Sequence, residues 1–270
     1  LAASGARRVM RILFIADVVG RPGRQVARAL LPVLCEERDV DVVVANGENL
    51  AGGYGVTPAV VAELFDLGVD VITTGNHVWD RPQGVALLES EPRLLRPANY
   101  PPYNPGSGAY VLDRGGTKVA VLNLQGRVFM PDIDDPFQIG RAQVDRLRAE
   151  ANVIAIDFHA EATAEKQAFA WFIDGLASAV VGTHTHVPTA DARILPGGTA
   201  YVTDLGMTGS HAGVIGCRAS DAIRRTTLGR RVRMGLAEGD LRLQGAIVDI
   251  DVASGRAQHI ERIDSSYEEE

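Results

Sequence analysis

The chain has 270 residues, six histidines, two cysteines and a formal net charge of −7. The acidic balance argues against a general nucleic-acid or anionic-membrane surface, the cysteine count argues against a disulfide framework, and no apolar run is long enough to span a bilayer. A hydrophobic share of 46% with 23% charged residues suits one large α/β domain or two small ones in a reduced, cytoplasmic protein.

Residues 1–9 read as a tag remnant or an upstream extension ahead of Met10. The apolar run 9–16, broken only by Arg11 and ending at Asp17, predicts a buried first strand rather than a signal peptide. Gly20-Arg21-Pro22-Gly23 reads as a turn, and 24–38 has helical periodicity through Val26, Ala29, Leu30, Val33 and Leu34. A second strand over 40–45 ends at Asn46-Gly47-Glu48-Asn49. Thr57-Pro58 opens the next helix, with Thr57 as N-cap. A third strand over 69–74 ends at Gly75-Asn76-His77. Three strand–loop–helix units in succession imply parallel pairing beneath helices.

Beyond a proline-rich loop at 96–105, Asp113-Arg114-Gly115-Gly116 between two apolar runs signals a hairpin, so antiparallel strands join the fold. Residues 125–136 read as a loop and 140–149 as a helix. A strand over 153–158 ends at His159, and a helix covers 160–176. The run 177–181 leads into Gly182-Thr183-His184-Thr185-His186. A second hairpin precedes 205–233, a glycine-rich polar stretch suited to a cap over a site or to a partner surface. Strands over 241–250 and 258–263 close the domain, taken as 10–263, and residues 264–270 read as a flexible tail. No internal repeat or linker divides the chain.

Five apolar strands thus end in residues able to bind a metal: Asp17, Glu48 with Asn49, Asn76 beside His77, His159, and His184 with His186. Ligands of α/β sheets gather outside the carboxyl ends of the strands. Carboxylate, amide and imidazole donors in this mix are what a dinuclear site requires.

The Asp after the first strand, Gly-Asn-His after the third, the later lone His and Gly-His-Thr-His resemble the calcineurin-like metallophosphoesterases. Ala-Asp-Val-Val-Gly, Asn-Gly-Glu-Asn, Thr-Gly-Asn-His-Val-Trp-Asp and Thr-Asp-Leu-Gly-Met-Thr-Gly resemble the YmdB-type branch more closely, over about residues 10–263. The resemblance implies an α/β fold, a two-sheet mixed β-sandwich flanked by helices, with a small cap segment. It also implies a metal-dependent phosphodiesterase acting on small diesters such as 2′,3′-cyclic AMP, by in-line attack of a metal-bridging hydroxide. Carried over, Asp17, Glu48, Asn49 and His186 would hold one divalent ion and Glu48, Asn76, His159 and His184 the other, with His77 catalytic near the leaving group.

Two positions depart from the broad superfamily pattern: Val19 stands where many members have His, and Glu48 where many have Asp. Asn49 would replace the missing imidazole. An oxygen donor there hardens the site and favours Fe or Mn, with Zn or Mg compatible. Asp204 is expected to support the site through hydrogen bonds. Tyr54 and Trp79 could stack on a base, though aromatics more often pack. Two other readings stay open. One is a metal- or nucleotide-sensing scaffold with slow turnover, and the other a phosphomonoesterase or nuclease on the same site. RNA as substrate, the partner surface and a homo-oligomer stay open as well.

Overall fold

A computed structural model describes residues 9–268, in which the apolar runs and breakers become thirteen strands and six helices. The first half alternates: β1 (Val9–Ile15), the short β2 (Asp17–Val18), α1 (Gly20–Glu37), β3 (Val42–Asn46), α2 (Pro58–Asp66), β4 (Val71–Thr73) and α3 (Pro82–Leu87). The hairpin of β5 (Ala109–Arg114) and β6 (Thr117–Gln125) follows, then α4 (Pro136–Leu147), β7 (Val153–His159), α5 (Thr163–Phe172) and β8 (Ala179–Thr183). A second hairpin, β9 (Arg193–Ile194) and β10 (Ala200–Val202), leads to β11 (Met207–Ser210), α6 (Ala219–Leu228), β12 (Leu241–Asp251) and β13 (Ala257–Tyr267).

Two mixed sheets result. One runs β2-β11-β12-β1-β3-β4, with β13 also paired to β12, and the other β5-β6-β7-β8-β10-β9. The expected parallel pairing of β1, β3 and β4 is present, as are both hairpins. Strand alternation sorts the core. Met10, Ile12 and Phe14 of β1 share a cluster with Val153 and Ala155 of β7 and Ala179 and Val181 of β8, while Leu13 and Ile15 face Val26 and Leu31 of α1. Ile154, Ile156 and Phe158 turn the other way, onto Val144 of α4 and Phe169 of α5. Each such side chain contributes about 1.5–3 kcal/mol when fully buried, and a one-residue slip of β1 or β7 would exchange both faces at once. Register is therefore fixed, and with it the height at which each strand ends.

Several boundaries differ from the sequence reading. Gly20-Arg21-Pro22-Gly23 is the first turn of α1 rather than a loop before it. Pro22 is tolerated there because first-turn N–H groups have no helical partner. Gly23 is required by packing, since a Cβ would meet the Thr208 carbonyl oxygen at 2.5 Å. The helix expected from 140 starts at Pro136, capped by Asp135, whose carboxylate accepts from the Phe137 N–H at 2.8 Å. Thr57 does stand at the α2 N-cap, but its side chain makes no capping bond.

The tail expected from 264 is still strand up to Tyr267, paired in register with Leu241 because β12 is long enough to template it. At the other end, Val9 belongs to β1, opposite Asp251, whereas the rest of the expected extension lies outside the described residues. The first part of 205–233 is β11, a member of the first sheet. Among the described residues, no helix is long and apolar enough to cross a membrane.

Candidate metal centre

The parallel strands of the two sheets end side by side, and their ends gather every candidate ligand. Asp17 opens β2 directly after β1, Glu48 and Asn49 follow β3, and Asn76 follows β4. His159 ends β7, and His184 and His186 follow β8. Glu48 Oε1 lies 3.1 Å from His159 Nε2, and that nitrogen lies 3.1 Å from His184 Nδ1. One ligand atom from each of these three residues falls within 4.8 Å of the others. On the other flank, Asn49 Nδ2 is 3.2 Å from His186 Nε2, and Asp17 Oδ2 accepts from the His184 backbone N–H at 3.1 Å.

The donor set fits a hard-to-borderline divalent cation. Asp17 Oδ1 and Asn76 Oδ1 are buried acceptors without a hydrogen-bond partner. Such a group costs about 1–3 kcal/mol unless something compensates it. The local field also favours positive charge. Burial alone would lower the His159 pKa, yet Glu48 and Asp17 carry it up to about 9. Burial alone would raise the carboxyls, yet His186 holds Asp17 and His159 holds Glu48 below the usual carboxylate range. The same carboxylates that stabilise a proton on His159 would stabilise a cation between these groups. Burial, with His159 beside it, pushes His184 down to about 4, so its imidazole keeps a free lone pair at neutral pH.

The loops that aim these side chains are constrained. His184 and His186 adopt φ of 101° and 62°, a region that costs non-glycine residues energy and that persists at functional sites where surroundings over-determine it. Here the surroundings are Lys166 and Asp204, an ion pair at 2.7 Å with both side chains 1% exposed. Lys166 Nζ donates to the Thr183 carbonyl at 2.8 Å, and Asp204 accepts from the Thr185 N–H at 3.1 Å, so the pair grips the loop on both sides of His184. Asp204 thus has the supporting place expected of it. Lys166 was not foreseen, because a lysine on a surface helix normally keeps its head in water.

Asp157 is a second buried support that the sequence reading passed over, although a charge inside an apolar strand is a visible signal. Its carboxylate accepts from Asn46, Thr73 and Thr183, and burial raises its pKa to about 6. Glu161 was also missed. Its Oε2 lies 3.1 Å from His184 Nε2, on the ring edge opposite the one that faces His159. Carboxylates in that position fix the tautomer of metal-bound histidines.

Glu48, Asn49, Glu161, His184 and His186 line an open cleft of about 450 Å³, whose walls include Tyr54, His77, Ile215, Cys217, Arg225 and Met234. His77 holds its backbone N–H on Glu48 Oε2 at 2.9 Å and its Nδ1 2.7 Å from Asp80 Oδ2. Trp79 packs edge-on against Tyr100, whereas Tyr54 lies edge-on to His77 with its centroid 5.2 Å away.

Residues 13–263 match the family described as YmdB-like protein. The chain belongs to that family. It is 48% identical over 258 residues to the 2′,3′-cyclic-nucleotide 2′-phosphodiesterase of Bacillus subtilis, covering 94% of this chain and 96% of that one. A crystal structure of a phosphatase from Mycoplasma pneumoniae superposes with a TM-score of 0.91 at 32% identity, covering 97% of this chain and 95% of that one. One of a hypothetical protein from Thermus thermophilus gives 0.90 at 40% identity, covering 95% and 99%.

Within this family site, a prediction follows from packing alone. A Cβ on Gly75 would sit 2.0 Å from His159 Cδ2, a separation no packing tolerates. Gly75→Ala is expected to swing the His159 ring out of place and to lower metal affinity by at least about tenfold, the scale set when the support of a ligand is lost. Titration calorimetry with Mn²⁺ would read it, and unchanged affinity would show that the backbone yields instead.

Proposed function

We propose that the chain is a metal-dependent phosphodiesterase that hydrolyses small phosphodiesters, 2′,3′-cyclic nucleotides foremost. It is a phosphoric diester hydrolase by family. The observation that supports the reading is the cluster of Glu48, His159 and His184, with Asn49, His186 and Asp17 beside it, of which Glu48, Asn49, His184 and His186 line one open cleft. In this reading Asp17, Glu48, Asn49 and His186 hold one ion and Glu48, Asn76, His159 and His184 the other, with Fe or Mn suited to the oxygen-rich set. Bound there, two divalent ions supply Lewis acidity and activate water for in-line attack. Two dications against the two carboxylates Asp17 and Glu48 leave an excess of positive charge for an anionic diester.

The chain's own residues do the rest. Asp80 engages His77 Nδ1, which leaves Nε2 as the nitrogen available to a substrate in the cleft. Protonated, it donates to the leaving oxygen. The open mouth admits a nucleotide-sized ligand, consistent with clefts of about 300–1,000 Å³. We take residues 10–263 as one unit, with the two sheets packed as a sandwich over the cluster they share. Residues 211–233 serve as its cap, supported by Ile215, Cys217 and Arg225 in the cleft wall. Such an enzyme would work in the cytoplasm on a diffusible nucleotide.

The test is hydrolysis of 2′,3′-cyclic AMP by Mn-loaded protein, beside a chelated sample and His184→Ala. Turnover in the first and loss in both controls is the expected result. Two bound metals with no turnover would favour a sensing scaffold instead. His77→Ala is expected to keep both metals and lose about 10²–10⁴-fold in kcat, the usual contribution of a positioned acid. Wild-type turnover, or loss of metal, would sink that role.

A further inference from the structure

The cap carries a charge that the chemistry on the cleft floor does not use. Residues 218–233 hold six arginines against one acid, Asp221, in a chain whose net charge is −7. Arg225 lines the cleft, and among the described residues its guanidinium touches the Met234 sulfur at 3.6 Å and pairs with no carboxylate. Arg224, Arg230, Arg231 and Arg233 are exposed and make no ion pair among the described residues. The stretch is built, not loose. Asp221 Oδ2 accepts from the Gly235 N–H at 3.0 Å, and the Arg218 N–H donates to the Gly235 carbonyl at 2.9 Å, clasping α6 to the strand-like segment that supplies Met234 and Leu236 to the cleft.

Size decides what this charge could meet. The cleft holds about one nucleotide, and one phosphate there is already served by the floor. Arg225 lines the cleft, but Arg224, Arg230, Arg231 and Arg233 are not part of its lining, so a single nucleotide seated in the cleft leaves them without a phosphate. A ligand that satisfies both must carry further phosphates away from the scissile one.

We propose that the enzyme's preferred substrate is a single-stranded RNA end bearing a 2′,3′-cyclic phosphate, with the terminal nucleotide in the cleft and the preceding phosphates on the arginine rim of residues 218–233. This rests on the phosphodiesterase reading of the floor. The chemistry agrees, since a 2′,3′-cyclic phosphate is the end group left when the 2′-hydroxyl of RNA attacks the adjacent phosphodiester. Arginine suits the rim because its planar fork pairs with phosphate oxygens, and Arg225, in the cleft wall, takes the phosphate that leads out to the rim. Tyr54, exposed in the wall beside His77, supplies a face of the kind on which bases stack.

The experiment has two arms on the same protein. Fluorescence anisotropy reads the binding of a short labelled single-stranded RNA ending in a 3′-phosphate, as a function of salt. Kinetics compare a cyclic-phosphate-ended RNA with 2′,3′-cyclic AMP. The test variant is Arg230→Ala/Arg231→Ala/Arg233→Ala, all exposed and outside the cleft. The wild type should bind RNA with a steep salt dependence, and its kcat/KM for the RNA end should exceed that for the mononucleotide at least tenfold. The variant should lose that preference and flatten the log–log salt slope by about 2, at about 0.7 per phosphate contact, with cyclic AMP turnover unchanged.

Cyclic AMP turnover with no RNA binding overturns the rim and leaves the phosphodiesterase intact. RNA binding with neither substrate cut overturns the phosphodiesterase reading, and with it this substrate. Association with phosphatidylserine vesicles in place of RNA reassigns the rim to a lipid surface and overturns the proposal.

Discussion

Glu48→Ala is expected to abolish tight binding of the second metal ion and to lower turnover by at least about 10³-fold. Glu48 is 1% exposed, touches His159 through Oε1 and holds the His77 N–H through Oε2. It therefore links His159, the His77 turn and, through Asn49 Nδ2 at 3.5 Å, the β3 loop. Its removal leaves His159 without the anion that most raises its pKa, so cations lose their strongest attraction at that spot. Losing a Lewis-acid position is worth several kcal/mol of transition-state charge, and each 1.36 kcal/mol is tenfold in rate. Metal analysis after gel filtration in Mn²⁺ and hydrolysis of 2′,3′-cyclic AMP would measure both effects. Two retained equivalents with near-normal turnover would remove Glu48 from the proposed ligand set. Glu48→Gln separates charge from shape. It keeps the His77 contact and should still lose metal, because an amide does not replace the negative charge.

How much of this site was legible depends on which residues carry a strand-end signal. Asp17, Glu48, His159 and His184 each interrupt or follow an apolar run, and the period-2 burial that makes a strand also fixes where it stops. The parallel β1–β3–β4 core and both hairpins were legible for the same reason. What the sequence hid are partnerships across long chain separations. Lys166 and Asp204 are 38 residues apart, and nothing in an alanine-rich helix marks one lysine as buried. Glu161 falls inside the span read as a helix from 160, yet it precedes α5, and the turn after β7 sets it against His184. Asp157 sat in plain view inside an apolar strand, but its three donors come from three other strands. The end of β13 was also hidden, because the polar residues after Ile263 are held by pairing with β12 rather than by their own burial.

Lys166→Met should be the most destabilising single change near the site, at about 3–5 kcal/mol, because it strips the partner from a buried carboxylate. For a chain of this size that corresponds to a fall in Tm of roughly 10 °C. Methionine preserves the packing of the aliphatic stem, so the loss reports charge rather than volume. The effect should reach the metals too. Lys166 anchors the Thr183 carbonyl directly before His184, and Asp204 anchors the Thr185 N–H directly after it, while His184 itself sits at a φ of 101° that such anchors help to sustain. With one anchor gone, the loop relaxes toward an ordinary backbone and carries the imidazole off the floor. Urea unfolding of metal-free protein reads the first effect, and Mn²⁺ calorimetry the second. A change below about 1 kcal/mol would mean that the fold does not depend on this ion pair. The double variant Lys166→Met/Asp204→Leu refines the argument. If charge balance were everything, it would recover full stability. Asp204 Oδ1, however, also accepts from the Gly206 N–H at 2.9 Å, and Oδ2 accepts from Thr185 at 3.1 Å. Each of those donors left unpaired costs about 1–3 kcal/mol, so recovery should be partial and metal affinity should stay low. That outcome would separate the pair's part in stability from its part in holding His184 over the cleft.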